Sequence, residues 1–146
     1  MAERTVFQSI SQRHVLNIGP QATVREAAGV MTRASCSSVL VMMPPQELLG
    51  IVTERDLVMR VLAKGLDPER TTVREVMTAK PICVQPGMLV SDAVVVMIER
   101  GFRHLPIVGQ DGRVMGVFSV RDALPREVGA ALSQTEFHAQ VNDARA

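Results

Sequence analysis

The sequence matches itself without a gap when it is shifted by 66 residues. Identical pairs include Arg4-Thr5 with Arg70-Thr71, Pro20 with Pro86, Val24 with Val90, Ala27 with Ala93, Val30-Met31 with Val96-Met97, Gly50 with Gly116, and Arg55-Asp56 with Arg121-Asp122. A single offset that runs through both helix-like and strand-like patterns predicts one structural unit used twice.

Each copy has the same order of predicted elements: strand, helix, strand, strand, helix. The strands are predicted at residues 16–18, 39–43 and 48–52, and again at 82–84, 105–108 and 114–118. Thr23 and Glu26 have capping-box spacing ahead of the first helix. The closing helices are predicted from Thr53 to about Gly65 and from Ser119, where Pro125 should bend or restart the helix.

The sequence therefore predicts a mixed α/β (α+β) fold, with repeat 1 at residues 1–66, repeat 2 at residues 67–132 and a loose polar tail at residues 133–146. A unit of about 60 residues buries too little surface to be stable alone. We therefore expect the two repeats to pack sheet against sheet with pseudo-twofold symmetry, which would leave two related clefts between them.

Composition narrows the classes of function. Lys plus Arg number 16, Asp plus Glu number 15, and Trp and Tyr are absent, so the sequence offers little of the basic face and of the stacking aromatics typical of nucleic-acid binders. No apolar run reaches the ~18 residues of a membrane span, and Glu3, Arg4 and Arg13 interrupt the stretch that a signal peptide would need. Cys36 and Cys83 lack metal-type spacing and indicate reduced, buried thiols in a cytoplasmic protein.

Motifs for catalysis are also absent, since the sequence contains no HExxH, CxxC, GxSxG or Walker loop. A hydrolase or transferase would need a nucleophile with a base, a metal cluster or paired carboxylates. We therefore expect no enzyme activity, no metal site and no required cofactor. His14 and His138 have no partner pattern and are interpreted as surface residues.

Three features resemble the cystathionine-β-synthase (CBS) domain pair, or Bateman module, over nearly the whole chain, residues 4–132. The first is GIVTERD at 50–56 with its counterpart GVFSVRD at 116–122, and the second is GFRHLPIV at 101–108. The third is the element order itself. The resemblance implies a standalone pair that binds an adenosyl ligand such as AMP, ADP, ATP, adenosylmethionine or NAD in its clefts.

The resemblance also implies a set of nucleotide-binding residues. Asp56 and Asp122 would accept hydrogen bonds from the ribose hydroxyls, because charge-assisted bonds to a carboxylate are strong. Thr53 and Ser119 would donate to ribose or phosphate oxygens. The full candidate set is Thr53, Arg55, Asp56, Ile82, Arg103, His104, Pro106, Ser119, Arg121 and Asp122.

Within that set, Arg103 and His104 would meet the phosphates, for which a forked guanidinium is suited, and Ile82 and Pro106 would enclose the adenine. The first copy has Ser37-Ser38 at the positions of the Arg-His pair. We therefore expect the two sites to differ, with the second copy forming the tighter one and the first copy a weaker or empty one.

The same residues also have structural interpretations. The Thr53 and Ser119 motifs have capping-box spacing with Asp in place of Glu, so both carboxylates could serve only as helix caps. Arg103 and His104 could be solvated surface groups. Arg55 and Arg121 could reach a phosphate or pair with acidic neighbours on the helix, and the sequence does not choose between these two roles.

The leading functional hypothesis is a regulatory module that senses an adenine nucleotide and acts on a separate, unidentified protein. The alternative is a structural or adaptor dimer whose clefts are empty. A homodimer is expected in either case, because the apolar run at residues 94–97 faces more than one way. One face of that helix can cover the sheet while another meets a partner subunit.

Overall fold

The computed structural model describes residues 2–11 and 15–145, so the predicted surface position of His14 lies outside the described residues. Helices and strands alternate along the chain, which confirms the predicted α/β class. The chain divides into two compact units: a continuous unit, Val15–Pro81, and a two-segment unit that combines Met1–His14 with Ile82–Ala146. The predicted boundaries at residues 66 and 132 concern the sequence repeat and stay a prediction.

The regular elements are α1 (Val6–Ser9), β1 (Asn17–Ile18), α2 (Val24–Ala34), β2 (Ser38–Met43), β3 (Glu47–Thr53), α3 (Glu54–Asp56), α4 (Val73–Val76), β4 (Thr78–Ala79), α5 (Val90–Arg100), β5 (His104–Val108), β6 (Val114–Ser119) and α6 (Pro125–Arg145). They follow the predicted order with two differences: α1, α4 and β4 were not predicted, and the predicted strand at residues 82–84 is not a regular strand. A π-helical stretch, Leu57–Leu62, continues α3, and a 3-10 turn, Val120–Asp122, follows β6.

The continuous unit is built on a four-stranded sheet in the order β1-β2-β3-β4. Strands β2 and β3 form the predicted antiparallel hairpin, and β1 runs parallel to β2. The Thr23 capping box begins α2 as expected, with the Thr23 N–H donating to the Glu26 carboxylate at 3.0 Å. The core of this unit is aliphatic and consists of Val24, Ala27, Met31, Val39, Val41, Val52, Val61, Val73 and Val76.

The two-segment unit is built on the β5–β6 hairpin. The predicted strand at residues 82–84 contributes only a single parallel bridge, between Val84 and Ile107. The first segment of the chain completes this unit, because Thr5 bridges Leu89 and the Val6 side chain is fully buried in the core. Phe118, Leu105 and Ile107 supply the largest side chains of that core.

The 66-residue offset is wrong by one residue in the segment that begins each repeat. Helices α1 and α4 are equivalent, since each follows a Thr whose N–H donates to the side chain three residues later: Thr5 to Gln8 at 3.0 Å and Thr72 to Glu75 at 2.6 Å. Thr5 therefore corresponds to Thr72 and not to Thr71. From α2 and α5 onward the predicted offset holds.

Gly50 is needed where β3 meets β4. A Cβ at this position would lie 2.7 Å from the Thr78 carbonyl oxygen and 2.5 Å from Met77 Sδ. At Gly116 a Cβ would lie 2.7 Å from Ile10 Cδ1. Beside both Gly50 and Gly116, other segments of this chain therefore occupy the space that a larger side chain would need.

The end of the second copy departs from expectation. Pro125 restarts the helix as predicted, since Ala123 is extended and Pro125 is the first residue of α6. Residues 133–145, predicted to be a loose tail, instead continue α6. These residues contain no Gly or Pro and include many strong helix formers, which explains the helix. His138, predicted at the surface, is partly exposed, and its Nδ1 lies 2.7 Å from Glu99 Oε1 of α5.

Two further expectations are corrected by burial. Val94, Val95 and Met97 of α5 are all buried within the chain, because α6 packs against α5. Val96 is the one partly exposed residue of the apolar run, so the run offers little surface to a partner subunit. Cys83, predicted to be buried, is exposed, and partial desolvation raises the pKa of its thiol.

Candidate functional site

Two equivalent turns carry the candidate aspartates. In the continuous unit the Thr53 N–H donates to Asp56 Oδ2 at 2.9 Å, and in the two-segment unit the Ser119 N–H donates to Asp122 Oδ2 at 2.8 Å. The capping interpretation is therefore confirmed for both carboxylates. Each cap uses one oxygen, so a carboxylate that caps its helix still has a second oxygen that can accept from a ligand.

The segment that enters the hairpin lies beside each turn. The carbonyl of Ser37 accepts the Glu54 N–H at 3.0 Å, and the carbonyl of Arg103 accepts the Val120 N–H at 3.1 Å. One residue further on, His104 is the strand partner of Ser119. The structure therefore brings Arg103, His104, Ser119 and Asp122 together within one unit.

Arg103 is the exposed cation of this group. Within residues 2–11 and 15–145 its guanidinium has no hydrogen bond or ion pair with the protein. Ser37, the equivalent residue of the first copy, carries no charge. The difference in charge that the sequence predicts therefore lies directly beside the two turns.

The predicted adenine contacts are only partly brought together. Ile82 lines a groove of about 580 Å³ whose wall is formed mainly by residues 82–88 and by Val96 of α5. Pro106 lies next to this wall, since its carbonyl accepts the Val84 N–H at 2.9 Å. Its side chain is buried in β5 and does not line the groove.

The Asp122 carboxyl has an unusual electrostatic environment. Burial raises its pKa, against the Ser119 N–H bond and the positive charges of Arg4 and Arg121, which lower it. A raised pKa means that the ionised form lacks part of the stabilisation that water would give it. A ligand that donates hydrogen bonds to this carboxylate would supply that stabilisation.

The remaining arginines of the candidate set are exposed. Arg55 Nε donates to Met59 Sδ at 3.2 Å, and among the described residues its guanidinium has no ion pair with an acidic neighbour. Arg121 lies close enough to Asp122 to lower the pKa of that carboxyl. Thr53 Oγ1 lies 3.1 Å from Asp56 Oδ2 and is engaged within its own cap.

The sequence did not indicate that Arg4 contacts the Asp122 turn. Arg4 Nη2 donates to the Asp122 carbonyl oxygen at 2.9 Å and to Glu127 Oε1 at 2.8 Å. The available signal was the segment Leu124-Pro125-Arg126-Glu127, which reads as a helix start with Pro at the first position and Glu at the third. That pattern locates Glu127 but not its partner.

Among residues 2–11 and 15–145, no three His, Cys, Asp or Glu side chains converge in a way that could hold a metal ion. Within that same part of the chain, none of the helices combines the length and the apolar character required to cross a bilayer.

The CBS-domain family profile matches the chain twice, over residues 7–63 and 73–128. The chain therefore belongs to the CBS-domain family, as a tandem pair. A protein of Methanopyrus kandleri is 35% identical over 118 residues, which cover 81% of this chain and 60% of that protein. The chain thus spans less than two thirds of that relative's length.

Solved structures show the same fold. A CBS-domain containing protein from Agrobacterium tumefaciens superposes with a TM-score of 0.75 and 30% identity, covering 86% of this chain and 92% of that one. A CBS domain protein from Pyrobaculum aerophilum, complexed with AMP, superposes with a TM-score of 0.77 and 22% identity, covering 89% and 98%. At that lower identity the second likeness is one of fold alone.

Proposed function

We propose that the chain is a regulatory module that senses an adenine nucleotide, AMP, ADP or ATP, at the turn that carries Asp122. The observation that carries this proposal is the Asp122 carboxylate. Its Oδ2 is held by the Ser119 N–H, and among the described residues nothing donates to or pairs with its Oδ1. The AMP complex of the Pyrobaculum aerophilum protein supports the class of ligand.

The chemistry of an adenosine monophosphate fits the groups around this turn. The ribose hydroxyls are donors, and an ionised carboxylate is an acceptor only, so Asp122 Oδ1 would accept from the diol. The phosphate would meet Arg103, whose exposed guanidinium lies at the entry to β5. The adenine would lie against Ile82 in the groove of about 580 Å³, a volume typical of small-molecule sites.

The second site, at Asp56, is proposed to be weaker or empty. Arg60 Nε lies 3.6 Å from Asp56 Oδ1, so the oxygen that a ribose would use already faces a cation of the chain. Ser37 offers no charge to a phosphate. Adenosylmethionine and NAD share the adenosine part and remain candidate ligands of the Asp122 site on the same grounds.

An adaptor function is the second candidate, and one surface favours it. Val58, Met59 and Leu62 on the π-helical stretch are 55%, 51% and 75% exposed. Exposed apolar side chains grouped on one helix face are typical of protein–protein contacts. A homodimer, or a separate downstream protein, would bury this surface. The absence of enzyme activity and a cytoplasmic location stay predictions.

A thermal-shift experiment separates the two candidates. Wild type, Asp122→Ala and Asp56→Ala are each titrated with AMP, ADP, ATP, adenosylmethionine and NAD. A ligand at 100 times its Kd stabilises the folded state by about 2.7 kcal/mol. We expect that shift in wild type and in Asp56→Ala and its loss in Asp122→Ala. If no ligand stabilises wild type, the sensor is rejected and the adaptor is retained.

A further inference from the structure

The Arg4 side chain fixes the Asp122 turn to the start of α6. Nη2 donates to the Asp122 carbonyl oxygen at 2.9 Å and to Glu127 Oε1 at 2.8 Å, and Nε donates to Glu127 Oε2 at 3.2 Å. The Glu127 side chain is 9% exposed, and its Oε1 also accepts the Leu124 N–H at 2.7 Å. Because a guanidinium fork matches both carboxylate oxygens, these bonds fix its orientation.

The backbone around Arg4 forms hydrogen bonds with the start of α5 and with the loop before it, in the same unit. The Arg4 carbonyl accepts the Val90 N–H at 2.9 Å, at the first residue of α5, and the Val6 N–H donates to the Met88 carbonyl at 2.8 Å. Met88 lines the groove of about 580 Å³. Arg4 and its neighbours therefore connect the loop that lines the groove to the turn that carries Asp122.

The continuous unit has the backbone part of this connection, since the Thr71 carbonyl accepts the Val24 N–H at 2.9 Å and the Val73 N–H donates to the Ala22 carbonyl at 2.8 Å. Among the described residues it lacks the side-chain part. The residue equivalent to Arg4 is Thr71, which precedes the Thr72 cap and donates only to the Asp67 carbonyl, at 2.8 Å. The position equivalent to Glu127 is Val61, a core residue. The Arg4–Glu127 pair is therefore specific to the unit that contains Arg103 and Asp122.

We propose that Arg4 is a positioning residue of the nucleotide site, which acts through Asp122 and does not itself contact the ligand. This inference rests on the proposed function. Its bond to the Asp122 carbonyl restricts rotation of the turn Val120–Asp122, so that Oδ1 keeps one orientation. A ligand that meets a fixed acceptor loses less affinity to the ordering of the site. A segment at the start of repeat 1 thus supports the site in repeat 2.

Hydrogen exchange of the protein without ligand tests the positioning directly. The variants are Arg4→Lys, which keeps the charge and loses the fork, and Arg4→Met. Arg70→Met is the matched control, because Arg70 makes only an exposed ion pair with Asp67 at 3.8 Å. We expect the Arg121 and Ala123 amides to exchange roughly tenfold faster in both Arg4 variants than in wild type, and at the wild-type rate in Arg70→Met. Unchanged exchange at these amides overturns the proposal.

Calorimetric titration with AMP tests whether Arg4 acts through Asp122. Arg4→Lys should weaken AMP binding by roughly tenfold in the wild-type background and should have no further effect in Asp122→Asn. An equal loss in both backgrounds shows a direct or a general role and overturns the proposal. If wild type does not bind AMP, the proposed function fails, and hydrogen exchange alone decides whether Arg4 positions the turn.

Discussion

The Arg60 guanidinium lies beside the Asp56 carboxylate, with Nε 3.6 Å from Oδ1 and one helical turn between the two residues. Its Nη1 also donates to two carbonyls at the end of α4, at 2.9 and 3.1 Å. The equivalent arginine of the second copy, Arg126, is exposed and forms no ion pair with Asp122 among the described residues. The second carboxylate oxygen of Asp56 thus faces the Arg60 guanidinium, whereas among the described residues the second oxygen of Asp122 faces no such partner.

The first prediction follows from this difference. Asp122→Ala should abolish high-affinity AMP binding, and Asp56→Ala should leave most of it, as measured by calorimetric titration. The reason is that only Asp122 combines an unpaired carboxylate oxygen with a neighbouring free guanidinium. If Asp56→Ala is the damaging change while Asp122→Ala binds normally, the assignment of each site to its own repeat is wrong.

The second prediction concerns the phosphate. Arg103→Ala should weaken AMP by about tenfold or more and leave adenosine nearly unaffected, because only AMP offers an anion to the guanidinium. Ser37→Ala, at the equivalent position of the other copy, is the matched control and should change neither affinity. Equal losses for AMP and adenosine in Arg103→Ala would place Arg103 away from the phosphate.

The third prediction concerns the ribose. 2′-Deoxy-AMP lacks one of the two donors that the Asp122 carboxylate would accept, and that carboxylate is already poorly stabilised by water. The binding free energy of 2′-deoxy-AMP should therefore be weaker than that of AMP by about 1.5–3 kcal/mol. Calorimetry with the two nucleotides in parallel measures it, and equal affinities would remove the ribose role of Asp122.

The fourth prediction concerns pH. The hydrogen bonds from Arg4 lower the pKa of Glu127 in the folded state. Ionised Glu127 therefore stabilises the fold above its unfolded pKa, and this contribution is lost as the pH falls through the lower folded value. At pH 7, Glu127→Gln should reduce the free energy of unfolding by about 1–3 kcal/mol.

Urea unfolding of wild type and Glu127→Gln across the acid range measures this difference. It should shrink as the pH drops below the ordinary glutamate pKa. A difference that does not change with pH would show that the ion pair contributes nothing and that packing accounts for the loss. Glu26→Gln, at an exposed helix cap, is the control and should cost less.

The fifth prediction concerns assembly. Light scattering at micromolar concentration should give the mass of a dimer for wild type, and Leu62→Glu should give the mass of a monomer, because a charge would enter a buried apolar contact. Phe137→Glu, on the exposed face of α6, is the control and should remain dimeric. A monomeric wild type would reject the dimer, and a dimeric Leu62→Glu would reject this surface.

Local signals account for the parts of the fold that the sequence predicted correctly. The hairpins, the Thr23 cap and the break at Pro125 depend on residues a few positions apart, so the pattern contains their cause. The single-residue slip of the leading segments is hidden in the sequence, because Glu-Arg-Thr occurs at the start of both repeats. Only the helix starts at Val6 and Val73 reveal the extra Thr.

Long-range placements could not be obtained in this way. Arg4 and Glu127 are 123 positions apart, and any of several acidic residues could have been the partner. The offset also does not say which copy a leading segment packs on, because the two cores are alike in their aliphatic composition. The helix in residues 133–145 lacks a clear apolar stripe, so its polar sequence was mistaken for a tail.

The two-segment unit also determines an order of events during synthesis. All residues of Val15–Pro81 are translated before α5 begins at Val90, so that unit can fold before the two-segment unit is complete. Arg4 stays unpaired until Glu127 is translated, 123 residues later. A chain that stalls between these points would carry a finished continuous unit and an incomplete Asp122 turn. The tighter of the two proposed nucleotide sites is therefore completed after the weaker one.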